Sequence, residues 1–164
     1  MKIRRYQAGD GKGTYDLFYE TVQRINCQDY SPEQLAVWAK PVGNQEDWHQ
    51  SLAKNYAVVM ERNHQLVGFA DITEGGYLDR LYVHHLYQGQ GIAKRLVAEL
   101  EKWASQQGVT EITVAASITA KPFFLKNGYC QVSQQQVERE GQLLTNYLMK
   151  KPVNRNETKQ TPST

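Results

Sequence analysis

Leu81-Tyr82-Val83-His84-His85-Leu86-Tyr87-Gln88-Gly89-Gln90-Gly91-Ile92-Ala93 is the stretch on which the reading of this chain turns. Its first residues close a run rich in β-branched and aromatic side chains. Its last two open a run in which Ile92, Leu96, Leu100 and Trp103 recur at i, i+4, i+8 and i+11, the spacing of an amphipathic helix. The segment therefore reads as a strand, a glycine loop and a long helix that Gly108 ends in the left-handed C-terminal position. Glycines at 89 and 91 permit tight backbone geometry, so successive N–H groups can converge on an anion at the positive end of the helix. A pyrophosphate suits such a cradle, although two glycines alone also suit a plain strand-to-helix turn.

The two familiar phosphate loops fit poorly. A P-loop ends in Gly-Lys-Ser/Thr, whereas Gly91 is followed by Ile92 and Ala93. The dinucleotide fingerprint wants a third small residue where Lys94 stands, and it opens a parallel sheet. Upstream of the loop, however, Tyr56–Glu61, Leu66–Ile72 and Tyr77–Val83 are separated by Asn63-His64 and Gly75-Gly76, which predicts three consecutive antiparallel strands.

Further out, Ile3 to Tyr6 is a candidate first strand. Asp10 then caps a helix carrying Tyr15, Phe18, Tyr19, Val22 and Ile25. Ser31-Pro32-Glu33-Gln34 combines an N-cap serine, a proline at the first helical position and a capping-box glutamine, so a second helix begins there with Leu35 and Trp38 on it. A short helix from Glu46 to Ala53 presents Trp48 and Leu52. Downstream, Ile112 to Ala115 is a short buried strand, and Thr119 caps a compact helix that ends at Gly128. Tyr129–Glu138 and Leu143–Met149 form a closing hairpin. Apolar residues thin out from Lys150, which predicts one domain over residues 1–150 and a flexible C-terminal tail over 151–164.

Composition narrows the function classes. The 164 residues, 40% hydrophobic and 22% charged, carry 19 basic and 17 acidic side chains, and a net charge of +2 gives no field that would gather nucleic acid or a membrane surface. Cys27 and Cys130 have neither metal-ligand spacing nor a disulfide framework and are expected as reduced, partly buried thiols. The first residues lack an apolar core, and no run of about 18 apolar residues occurs, so the cytoplasm is the expected compartment.

Gln88-Gly89-Gln90-Gly91-Ile92-Ala93 resembles the Gln/Arg-x-x-Gly-x-Gly/Ala loop of the GNAT acetyltransferases. Leu81-x-Val83 before it, Val67-Gly68-Phe69, and Ala120 through Phe123-Phe124 to Gly128-Tyr129 follow that family's order and spacing over about residues 2 to 150. The run from Ser117 to Phe124, with Tyr30-Ser31-Pro32 and Trp38 upstream, is similar to its YafP-like branch. The resemblance implies an α/β fold of the GNAT acyl-CoA N-acyltransferase type: a mixed central sheet splayed at the cofactor site and flanked by helices. It implies acetyl-CoA as co-substrate and no metal. The backbone of Leu81, Tyr82 and Val83 would pair with the pantetheine arm, and the amides of Gln88, Gly89, Gln90, Gly91, Ile92 and Ala93 would hold the pyrophosphate.

Two positions depart from the family pattern. Ser117 stands where asparagine is common, and can either bond the cofactor or cap the following helix. Phe124 stands where a tyrosine usually protonates the departing sulfur, so that acid is missing from its usual place and Phe124 is expected only to pack against the cofactor.

The remaining chemistry is deprotonation of the amine. A lysine-like amine with pKa near 10.4 is only about one part in several thousand neutral at pH 7, a deficit of roughly 4 to 5 kcal/mol. A carboxylate can take the proton directly or through water. Asp79 is the candidate, because strand alternation puts it on the face of Leu81 and Val83; the alternative is a solvated aspartate paired with Arg80 or Lys94. Asp71 and Glu74 are weaker alternatives. His84 and His85 lack metal spacing and, on an extended chain, are expected to point apart. Tyr30 and Trp38, with Trp48, are candidates for lining the acceptor pocket, or for plain packing.

The expectation is an N-acetyltransferase that moves acetyl from acetyl-CoA to a primary amine of a small molecule or peptide by direct transfer in a ternary complex. A non-catalytic acetyl-CoA sensor is the alternative. No nucleic acid, membrane or metal partner is expected, a homodimer is left open, and the acceptor is not identified.

Overall fold

The three strands expected between Tyr56 and Val83 form as β2 (Tyr56–Arg62), β3 (Gln65–Ile72) and β4 (Tyr77–Val83), each antiparallel to the one before. Asn63 and His64, with φ of 51° and 66°, make the two-residue turn between β2 and β3. The computed structural model describes residues 1–153. Around these strands lie β1 (Lys2–Arg5), α1 (Gly11–Arg24), α2 (Pro32–Trp38), α3 (Gln45–Ala53), α4 (Ile92–Gln106), β5 (Glu111–Ser117), α5 (Lys121–Lys126), β6 (Cys130–Arg139) and β7 (Gln142–Pro152).

Among the described residues, the strands make one mixed sheet in the order β1-β2-β3-β4-β5-β7-β6. Every pairing is antiparallel except that of β4 with β5, which is parallel and covers only Tyr77 opposite Thr113 and Leu78 opposite Val114. Beyond those pairs β5 stays with β7, out to Ser117 opposite Asn146, while β4 stays with β3. The sheet therefore splays between them, as the family resemblance implied.

Two apolar cores sandwich the sheet. On one face Ile92, Leu96, Val97, Leu100 and Ala104 of α4 pack with Met60, Val67, Leu78, Ile112 and Phe124. Gly68 explains the close approach of helix and sheet there, because a Cβ on it would stand 2.9 Å from the Ile92 Cγ2. On the other face Tyr15, Phe18 and Val22 of α1 meet Leu35, Leu52, Val59 and Phe69.

Several local expectations change. Asp10 holds the N-cap position of α1, as expected, but its side chain makes no capping bond to that helix. It ends a single helical turn (Ala8–Asp10), where its carboxylate accepts from the Gln7 N–H at 2.8 Å and pairs with Arg4 at 2.8 Å. Burial pushes the Asp10 carboxyl up, but these bonds outweigh it and hold it below its ordinary range. Thr119 does not cap α5, since its hydroxyl donates to Asp29 at 2.9 Å while the Ser117 Oγ accepts from the Ala120 N–H at 3.0 Å. Both cysteines are exposed rather than partly buried.

The last strand continues past residue 150. β7 runs through Pro152, opposite Glu111, and Val153 N–H bonds Thr110 C=O at 2.8 Å, because the ladder with β5 continues although the side chains are polar. Residues 154–164, where most of the expected tail falls, lie outside the described residues.

Candidate active site

A cleft of about 790 Å³ opens where β4 and β5 part. Its geometry begins with one irregularity. β3 advances one residue from Asp71 to Ile72 while β4 retreats two, from Arg80 to Leu78, so Asp79 is the extra residue of a β-bulge. Alternation is reset there: Leu78 packs in the same core as Leu81 and Val83, which unbroken period-two alternation forbids. The expectation that Asp79 shares the face of Leu81 and Val83 by alternation is thus corrected. Asp79 is instead exposed within the bulge, and it lines the cleft for that reason.

The bulge also sets the backbone of β4. His84 N–H bonds Val67 C=O at 2.9 Å, and in an antiparallel ladder alternate residues turn their groups inward, so Leu81 and Val83 turn theirs away from β3 and into the gap. Val83 C=O is already taken by the Gln88 Nε2 at 2.7 Å and the Thr21 Oγ1 at 3.1 Å. Both backbone groups of Leu81 and the N–H of Val83 remain. The backbone of Tyr82 belongs to the ladder opposite Phe69, so its expected pairing with a cofactor arm is corrected: Tyr82 reaches the cleft through its side chain.

Past β4, Gly89 and Gly91 have φ of 75° and 80°, and a Cβ on either would meet nothing within 4 Å. The backbone is therefore bent left-handed beneath open space. Arg95 N–H makes the first bond of α4, to Gly91 C=O at 3.1 Å, which leaves the N–H groups of Ile92, Ala93 and Lys94 without partners inside the helix. Gln88, Gly89, Gly91, Ile92, Ala93 and Lys94 all line the cleft; Gln90 is exposed and off its lining. An anion fits this end, with the dipole of a 15-residue helix and the ammonium groups of Lys94 and Lys126 beside it. Ser117 and Phe124 lie on the opposite wall. The Ser117 hydroxyl caps the turn into α5, and Phe124 is only 2% exposed, its ring edge-on to Tyr129 at 5.0 Å between centroids.

At the other end, Tyr30 and Trp38 are brought together as expected, in edge contact at 5.0 Å. The Tyr30 hydroxyl donates to Thr145 C=O at 2.5 Å and accepts from Ile118 N–H at 2.9 Å, so it ties the β5–α5 junction to β7. The Trp38 Nε1 donates to the Tyr82 hydroxyl at 3.3 Å, and burial pushes that hydroxyl up to about 12. Trp48, by contrast, is packed in the core against Tyr15, Phe18 and Phe69, its Nε1 bonded to the Thr14 Oγ1 at 3.0 Å.

The weaker base candidates fall outside the cleft. Asp71 is fully buried and bonds Asn55 Nδ2 at 2.9 Å and Arg80, while Arg80 also bonds Ser51; Glu74 sits in the exposed β3–β4 turn. Asp79 pairs loosely with Arg80 at 3.7 Å, the partner the alternative reading named. His84 and His85 stack at 4.6 Å instead of pointing apart, because the chain turns into a short helix (His85–Tyr87) and is not extended. Among the described residues, no group of three or more His, Cys, Asp or Glu side chains could hold a metal.

Sequence reasoning missed Thr21, Asn26, Tyr77, Val137, Arg139, Thr145 and Asn146, all of which line the cleft. They come from α1, the turn after it, the start of β4 and the β6–β7 hairpin, and no local pattern ties those segments to the loop. The one available signal was the alternation that puts Val137 and Arg139 on the same side of β6.

A mixed sheet parted at its single parallel step, beside a glycine-bent helix N-terminus, defines the acyl-CoA N-acyltransferase class. The chain belongs to the GNAT family: the acetyltransferase (GNAT) domain model matches residues 26–151. It is 39% identical over 150 residues to the uncharacterized N-acetyltransferase YafP of Escherichia coli (strain K12), covering 92% of this chain and 95% of that one. Among solved structures, a GCN5-related N-acetyltransferase from Rhodopseudomonas palustris superposes with a TM-score of 0.89 at 30% identity, covering 92% and 94% of the two chains. The PaiA N-acetyltransferase of Thermoplasma acidophilum, solved with coenzyme A, does so with 0.76 at 20%, covering 92% and 98%. The protein is an acetyl-CoA-dependent acyltransferase. No helix among the described residues is long and apolar enough to cross a membrane.

Proposed function

We propose that the chain transfers acetyl directly from acetyl-CoA to a primary amine, with both substrates bound in the cleft. The observation that carries this reading is the β4 bulge, which puts the Asp79 carboxylate in the same gap as the free backbone groups of Leu81 and Val83. The pantetheine arm lies along Leu81 and Val83 as an added strand, its pyrophosphate at the amides after Gly89 and Gly91, between Lys94 and Lys126. The PaiA enzyme, on the same fold, was solved in complex with coenzyme A, which supports coenzyme A as a ligand of this fold. The backbone N–H of Leu81, the free donor nearer Asp79, polarises the thioester carbonyl, while the N–H of Val83 pairs with the arm.

The amine, entering past Tyr30 and Trp38, gives one proton to Asp79, directly or through water. Its nitrogen bonds the acetyl carbon, the carbon–sulfur bond breaks, and coenzyme A leaves as thiolate that takes a proton from solvent. A thiol pKa of about 8.5 makes that departure tolerable without an acid at residue 124. The catalytic domain proposed is residues 1–150, with β7 carrying its last strand on to Pro152.

Initial-rate kinetics of coenzyme A release against an amine panel test the reading, with Asp79→Asn as the discriminating variant. The amide keeps the shape but accepts no proton, so turnover falls about 100-fold or more while acetyl-CoA affinity holds, and the deficit narrows as pH rises and the free amine grows. Parallel double-reciprocal lines, or a variant whose pH profile overlays the parent's, would overturn direct transfer or the role of Asp79 respectively.

A further inference from the structure

Arg139 ends β6 and faces the acceptor end of the cleft, two residues after Val137 on the same side of the strand. Among the described residues it makes no ion pair. Its charge is felt by both tyrosines there: burial pushes the Tyr77 and Tyr82 hydroxyls up, and Arg139 works against that push at each. Asp79 lines the same end and is paired with Arg80, not with Arg139. Asn146, on β7 beside Ser117, holds its Oδ1 buried in this wall with no donor to it.

The acceptor end thus offers a carboxylate, an orphan carbonyl oxygen and a free guanidinium. An uncharged arylamine leaves the guanidinium unused, and a polyamine brings a second cation against it. An amine that also carries a carboxylate satisfies all three, because the planar fork of an arginine matches a carboxylate in two hydrogen bonds while an ammonium needs acceptors. We infer that the acceptor is an amino-carboxylate, its carboxylate held by Arg139 and its amine directed to Asp79 and Asn146. This rests on the direct-transfer reading above and adds the substrate class. The nitrogen loses one proton to Asp79, the nitrogen–carbon bond forms as the carbon–sulfur bond breaks, and the products are an N-acetylated amino-carboxylate and coenzyme A.

Matched pairs of probes test it: alanine, methionine, phenylalanine and tryptophan, each against its decarboxylated amine, assayed by coenzyme A release and by calorimetric binding to the protein with coenzyme A present. At least one amino acid is used with kcat/KM about 10- to 100-fold above its amine, the worth of a hydrogen bond to a charged group. Arg139→Gln brings that ratio near one through KM, with acetyl-CoA affinity unmoved, and Arg139→Lys recovers part of it. Decarboxylated amines used as well as their parents, or a ratio that Arg139→Gln leaves intact, overturn the inference while direct transfer stands. Amino acids that bind through Arg139 but are not acetylated uphold the site and overturn the transfer reading instead. If no amino acid binds or reacts, the inference falls.

Discussion

Phe124 shows how much a single side chain can be asked to do. Its ring is 2% exposed and shares one core with Leu96, Tyr129 and Met149, yet it also forms part of the cleft wall. Truncation therefore costs more than a cofactor contact: Phe124→Ala is expected to lose about 3–5 kcal/mol of stability, the range for a buried phenylalanine, together with acetyl-CoA affinity. Phe124→Tyr is expected to stay folded, bind acetyl-CoA and raise kcat by no more than about 100-fold, the lower end of what a positioned acid supplies. Urea unfolding and steady-state kinetics on both variants check this. A tyrosine variant destabilised by more than about 2 kcal/mol would mean that the ring's far edge faces the core and that no acid can act from this position. At this scale Asp79 was legible as a carboxylate of the cleft and the means of its placement was not, because the bulge that exposes it there is defined by the register against the partner strand.

At the scale of elements, the glycine loop, the long helix, the capping box at Ser31 and the β2–β3, β3–β4 and β6–β7 hairpins were legible, since each is specified by residues within a few positions of one another. What was not legible joins elements distant in sequence. Asp71 of β3, Arg80 of β4, and Ser51 and Asn55 at the end of α3 form one buried polar cluster that fastens the helix to the sheet. Burial raises the Asp71 carboxyl to about 6, against the pull of Arg80 and Asn55. The folded protein then binds a proton there more tightly than the unfolded chain, whose aspartate keeps its ordinary value near 3.9. The stability from this site is accordingly full below about pH 4 and lost as pH rises through about 6. Measured by urea unfolding at steps from pH 4 to 7, the parent's advantage over Asp71→Asn should grow on acidification across that window. An advantage that shrinks instead would show that Arg80 holds the carboxylate below its ordinary value.

Across the whole molecule, the splay divides the sheet into a β1–β4 half and a β5–β7 half that share only two registered pairs, at Tyr77 and Leu78. The division lay beyond sequence reading in detail, although the family resemblance implied it, because it depends on β5 preferring β7 over β4 for most of its length. Two consequences follow from so narrow a seam. The halves are held together beyond Leu78 mainly by α4, α5 and the cores beneath them, and a ligand that fills the gap contacts both walls at once. Acetyl-CoA at about 100 times its Kd should therefore stabilise the protein by roughly 2.7 kcal/mol, a rise in Tm of about 5–11 °C for a domain of this size. Amide exchange should slow along both walls, at residues 79–83 of β4 and 115–117 of β5, and not only in the loop at 88–93. Gly91→Asp supplies the control: with φ of 80° and open space at its Cβ, the variant puts a strained, negatively charged side chain where the pyrophosphate is proposed to sit. It should remain folded yet show neither the Tm shift nor the slowed exchange. Protection confined to the loop would mean that the cofactor binds by its phosphates without entering the gap, and the added-strand placement along Leu81 and Val83 would have to be abandoned.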